Sequence, residues 1–132
     1  MSSIFSRIIA GEIPCHKIAE DENHLAFLDI HAIAKGHTLV VPKREVDYIY
    51  SLSDNELGAL HVFAKKIALA LQKAVACKRI GITVIGLEVP HAHIHLIPIN
   101  HLYDMDFAKP RIPFSPEAFA ELAKLISSNL PG

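Results

Sequence analysis

Residues 90–98 read Pro-His-Ala-His-Ile-His-Leu-Ile-Pro. His91, His93 and His95 alternate with Ala92, Ile94 and Leu96, and a period of two predicts a β-strand. On a strand the three imidazoles share one face and the three apolar side chains share the other. A helix would pair His91 with His95 and turn His93 away. Pro90 and Pro98 are expected to bound the strand, because proline is poorly tolerated inside a sheet. One bland reading is an exposed polar face, but such faces favour Thr, Lys and Glu in mixture. A second is a metal site, since His-x-His on a strand is a common zinc pattern. However, His91 and His95 lie four steps apart, about 13 Å at the usual rise. One ion with bonds of about 2 Å cannot easily take all three, although two of them plus a distant ligand could serve. The third reading is a row of hydrogen-bond donors with a nucleophile among them, facing a phosphate. The spacing fits this best.

The rest of the chain must position that strand. At 132 residues it is expected to form one domain, residues 1–132, with a single core. Composition is ordinary for a globular protein, 51% hydrophobic and 20% charged, and the formal net charge is −1. No basic excess points to nucleic acid or an anionic membrane, so a phosphate ligand would have to be held locally. No apolar run reaches membrane length and no signal pattern opens the chain, so a cytoplasmic setting is expected. Cys15 and Cys77 give no disulfide framework and no Cys-x-x-Cys.

Ser2-Ser3 is a plausible cap for a short helix bearing Ile4, Phe5, Ile8 and Ile9. Cys15–Glu20 and His24–Ile30 read as a hairpin around Asp21-Glu22-Asn23, and residues 37–41 as a third strand. Asp29 ends an apolar strand, where it either caps the next loop or accepts hydrogen bonds from a ligand. Ser53-Asp54-Asn55-Glu56 is a capping box, so a helix should run to about Ala76, with Leu57, Leu60, Ala64, Ile67, Leu71 and Val75 as its apolar stripe. His61, near that stripe, is expected to be structural. Residues 80–85 read as a fourth strand and 86–90 as a turn delivering the histidines. Ser115-Pro116-Glu117 opens a last helix, packed through Phe119, Leu122 and Ile126. The fold class is thus α+β: an antiparallel sheet of about five strands with one long helix, plus short N-terminal and C-terminal helices.

His91-Ala92-His93-Ile94-His95-Leu96-Ile97 matches the His-φ-His-φ-His-φ-φ signature of the histidine triad (HIT) family of nucleotide hydrolases and transferases. Residues 8–14, 26–30 and 36–43 resemble the family's opening and central strands. The resemblance covers about residues 4–99, in four ordered blocks, and is strongest to the Hint branch; the tail and helix of residues 100–132 lie outside it. It implies that His93 attacks the α-phosphate of a purine nucleotide conjugate, forming a nucleotidyl-histidine that water then releases. His91 and His95 are expected to donate to the phosphate oxygens, one of them also to the leaving group, and His37 to buttress the triad. Ile4, Phe5, Ile8 and Ile13 are expected to wall the base, with Phe27 flanking it and Asp29 accepting from the ribose hydroxyls. Leu28, Ile30, Leu39, Leu87, Glu88 and Val89 complete the expected nucleotide site.

The resemblance also implies a homodimer and no cofactor. Some members carry a zinc-binding cysteine pair near the start; Ser3 and Ser6 stand at the corresponding places, so no metal is expected. Leu87 replaces the family's usual glutamine, and no asparagine lies between Ile80 and Pro90. With no amide there and Glu88 next to Leu87, a phosphoramidase-like preference for amine leaving groups is expected. A dinucleoside polyphosphate hydrolase, a metal-dependent hydrolase and a non-catalytic nucleotide-binding module are the alternatives.

Overall fold

The computed structural model describes residues 2–131. Its element order is α1 (Ile4–Ile9), β1 (Lys17–Glu20), β2 (His24–Leu28), β3 (Thr38–Pro42), α2 (Asp54–Ala74), β4 (Arg79–Thr83), β5 (Ile94–Ile99) and α3 (Pro116–Ser128), with single 3₁₀ turns at Ile49–Ser51 and Leu102–Met105. The five strands form one antiparallel sheet in the order β1-β2-β3-β5-β4. The α+β expectation holds.

Both long helices pack on one face. Ala26, Leu28, Val40, Ile94 and Leu96 from the sheet meet Leu60, Ala64, Ile67 and Leu71 of α2, and Phe119, Leu122 and Ile126 of α3. The C-terminal helix is therefore built into the main core. On the opposite face Leu25, Phe27, Leu39 and Val41 form a smaller cluster with Phe5 of α1. Covered on both sides, β2 and β3 are buried along their whole length. The capping box at Ser53 and Glu56 is present, and so is the Ser115 cap with Pro116 behind it.

The histidine strand differs from expectation in its limits. β5 starts at Ile94, so His91 and His93 precede it on an irregular approach. That approach is tied by the Ala92 N–H, which donates to the Val46 carbonyl at 2.6 Å. The alternation of faces persists: Ala92 and Ile94 still point into the helix-side core. Nor does Pro98 end the strand. The β3 ladder stops at Leu96, while Pro98 lies opposite Ile80 of β4, so only one side of the strand remains paired there.

Gly36 explains how the loop before β3 turns. It sits at φ +91°, and a Cβ there would meet Leu71 Cδ1 at 2.9 Å. Only glycine accepts both the left-handed backbone and that approach to α2. The turn brings His37 to the head of β3.

Candidate active site

His37, His93 and His95 converge on a cavity of about 370 Å³ beneath α1. Their hydrogen-bond partners fix which ring nitrogens are free. The Ile33 N–H donates to His37 Nδ1 at 3.1 Å, so the His37 proton resides on Nε2. Nε2–H then donates to His95 Nδ1 at 3.0 Å, which places the His95 proton on Nε2. His93 Nδ1–H donates to the His91 carbonyl at 2.8 Å, leaving the Nε2 lone pair of His93 as its reactive position. The His93 and His95 ring centroids are 4.8 Å apart. A lone pair thus sits beside an oriented N–H donor, the pairing an attack on phosphorus needs.

His91 is placed differently from the expectation. It is fully buried and does not line the cavity. Its Nε2–H donates to the Pro42 carbonyl at 2.8 Å, and its Nδ1 accepts from the Ser3 hydroxyl at 2.7 Å. With both nitrogens engaged, it has no donor to give a phosphate oxygen. What it offers the site is its backbone carbonyl, which holds the His93 ring.

Ser3 is also the cap of α1, its hydroxyl oxygen accepting from the Ser6 N–H at 3.0 Å. The Glu45 carboxylate accepts from the Ser3 N–H at 2.6 Å and the Ser6 hydroxyl at 2.7 Å. These bonds, above all that of the Ser3 N–H, hold the Glu45 carboxyl down at about 2. Ser3, Ser6, Glu45 and His91 therefore satisfy one another. Two hydroxyls in place of thiolates do not fit a structural zinc, whose ligands are thiolate, imidazole and carboxylate.

Electrostatics favour neutral imidazoles. Burial pushes His37 down to about 4, helped by the Arg111 guanidinium and by His93. Burial also drives His95 down to about 3, with His93, His37 and Arg111 adding to the shift and Asp29 opposing it. Burial lowers His91 as well, against the Pro42 bond and Glu45. Near neutral pH His95 is thus uncharged, with its Nε2–H available as a donor.

Ile4, Phe5, Ile8, Ile13, Phe27, Leu28, Asp29, Ile30, Leu39, Leu87, Glu88 and Val89 all line the same cavity. Phe5 and Phe27 meet edge to face at 5.7 Å, giving one end of the cavity an aromatic wall. Asp29 Oδ1 accepts from the His31 N–H at 2.8 Å, and Oδ2 lies 3.5 Å from His37 Nε2. It caps its loop and faces the cavity at once. Asp29, His37 and His95 have ligand atoms within 4.8 Å of one another and, among the described residues, are those that could hold a metal ion. An ion there would have to displace the proton shared by His37 and His95. Phe107 and Arg111 also line the cavity. They come from the tail, whose sequence has no periodicity to announce them.

A family model described as HIT domain matches residues 10–102. The chain belongs to the HIT family. It is 36% identical to "Adenosine 5'-monophosphoramidase hnt1" of Schizosaccharomyces pombe, over 98% of this chain and 99% of that protein. It is 43% identical to "Protein hit" of Bacillus subtilis, over 72% of this chain and 69% of that one. Among solved structures, a Hit-like protein of Bartonella henselae, described as involved in cell-cycle regulation and solved with an unknown ligand, superposes with a TM-score of 0.84. It is 30% identical, covering 98% of this HIT chain and 97% of its own.

Proposed function

We propose that this HIT protein is a nucleotide hydrolase that releases nucleoside monophosphate from purine nucleotide conjugates, with phosphoramidates as the preferred class. The observation that carries the reading is the free Nε2 of His93, held by the His91 carbonyl and flanked by the His95 N–H. His93 Nε2 attacks the α-phosphorus, the bond from phosphorus to the leaving amine breaks, and the amine departs with a proton from water. His95 Nε2–H donates to a non-bridging oxygen as charge builds on it. In the second step water attacks phosphorus, the phosphorus–Nε2 bond breaks, and the monophosphate leaves while a proton passes to solvent. Splitting one displacement into two is the gain from covalent catalysis.

The apolar and aromatic wall from α1 and β2 suits a purine, and Asp29 suits the ribose diol, because an ionised carboxylate only accepts. Leu87 and Glu88 border the leaving group. Leu87 offers a phosphate no hydrogen bond, and Glu88 repels one, which is why an amine is preferred to a polyphosphate. The amidase named among the relatives, which spans nearly the whole of both chains, supports the same class.

The direct test is turnover of adenosine 5'-phosphoramidate by wild type and His93→Ala. Loss of the nucleophile is expected to cost several orders of magnitude in kcat with AMP binding retained. A variant keeping more than about a tenth of wild-type activity would remove His93 from that role.

A further inference from the structure

The charges that line the cavity are unevenly matched to a nucleotide. Asp29 and Glu88 are carboxylates, and Arg111 is the one lining side chain with a permanent positive charge among the described residues. A phosphate brought to His93 is itself anionic, and a buried anion needs a charged or donating partner. His37 and His95 do not provide an imidazolium, since burial keeps both neutral near pH 7.

Arg111 lies in the segment between β5 and α3, beyond the stretch matched by the family model. That segment is seated on the site. The Phe107 ring packs edge-on against His95 at 4.9 Å and against His37 at 5.9 Å. One residue past the arginine, the Ile112 N–H donates to the Ala32 carbonyl at 2.8 Å. Arg111 Nη1 donates to the Phe107 carbonyl at 2.9 Å, with the Lys109 carbonyl at 3.4 Å. Its Nε and Nη2 donate to nothing among the described residues. The guanidinium is thus held by one nitrogen at the cavity, with its other donors available.

We propose that Arg111 is a specificity residue whose guanidinium pairs with the phosphate of the bound nucleotide, so that the C-terminal segment selects phosphorylated nucleosides over bare ones. This inference rests on the nucleotide reading of the site. An arginine suits the task because its planar fork can engage two phosphate oxygens together. Phe107 holds the segment against the histidines and excludes water beside the phosphate.

The test is calorimetric titration of AMP and of adenosine into wild type, Arg111→Ala and Arg111→Lys. Arg111→Ala is expected to weaken AMP about tenfold or more while moving adenosine by no more than about twofold. Arg111→Lys should recover part of the loss, since it keeps the charge and loses the fork. Should the alanine variant fold poorly, the lysine variant carries the same comparison. Lys109→Ala, whose ammonium instead faces Asp104 at 3.6 Å, should leave AMP binding unchanged. Equal weakening of AMP and adenosine, or AMP binding unmoved by Arg111→Ala, would overturn the proposal. So would a wild type that binds AMP no more tightly than adenosine, whatever it hydrolyses. A protein that holds AMP through Arg111 yet leaves the phosphoramidate intact would instead overturn the hydrolase reading and leave Arg111 in its role.

Discussion

Asp29 has two acceptors and two tasks. One oxygen caps the loop through the His31 N–H, and the other lies at the cavity near His37. Asparagine keeps an acceptor for the cap and loses the charge. Asp29→Asn should therefore weaken ribonucleotides by roughly 1.5–3 kcal/mol, the range for a hydrogen bond to a charged group, and 2′,3′-dideoxy analogues much less. Competition binding with both ligand types measures the difference; equal weakening of the two would reduce Asp29 to a loop cap. At this scale the sequence was informative about side-chain direction and silent about partners. Alternation put His93 and His95 on the face opposite Ala92 and Ile94, as observed. It could not tell that His91 spends both ring nitrogens on Pro42 and Ser3, because those partners lie 49 and 88 residues away.

Among the elements, α1 is coupled to the histidine approach chiefly through the Ser3 hydroxyl, at 2.7 Å from His91 Nδ1 against 3.4 Å for that of Ser6. Ser3 caps the helix and supplies the hydrogen bond to His91 Nδ1. Losing a serine cap costs about 1 kcal/mol, and stranding a buried acceptor adds about 1–3 kcal/mol. Ser3→Ala is thus expected to lower unfolding stability by about 2–4 kcal/mol, measured by urea denaturation. Ser6→Ala, whose hydroxyl turns to the exposed Glu45, should cost much less. A Ser3→Ala loss below about 0.5 kcal/mol would show that this link contributes nothing. Element limits were less legible than element types. The helix over Asp54–Ala74 had a capping box and a clean stripe, and it ends within two residues of expectation. The histidine strand begins three residues late, because its ladder to β3 stops at Val40 and Ile94 although β3 itself runs on to Pro42, and β4 reaches only as far as His95. The tail of residues 100–115 has no period of either kind, so neither Phe107 nor Arg111 could be placed at the site in advance.

For the molecule as a whole, buried neutral histidines set a pH limit. His37 and His95 sit at about 4 and about 3, below the ordinary 6.5. Between those values the unfolded chain binds more protons than the folded one, so stability rises with pH through that window. The contribution is fully present above pH 6.5 and is lost as pH falls toward 4. Glu20, Glu45 and Glu56, each held at about 2 by hydrogen bonds and ion pairs, add a second loss below about 4.5. The urea midpoint should accordingly drop between pH 7 and pH 5, and drop less when His37 and His95 are both replaced by asparagine. A midpoint that is flat or rises on acidification to pH 5 would contradict neutral burial of the pair. The homodimer implied by the family resemblance is a proposal, supported by the outer edge of β4, which pairs with no strand among the described residues, and by the exposed Ile82 on it.

The central claim is that His93 Nε2 becomes covalently attached to the nucleotide. Wild-type protein would be mixed with radiolabelled adenosine 5'-phosphoramidate, quenched in alkaline denaturant within the first turnover, and digested for mass spectrometry. One AMP group per turnover-competent site is expected on the peptide carrying His93, and no label on His93→Ala. Release of labelled AMP at full rate with no trapped adduct on any histidine, or an adduct on His91 or His95 instead, would contradict it.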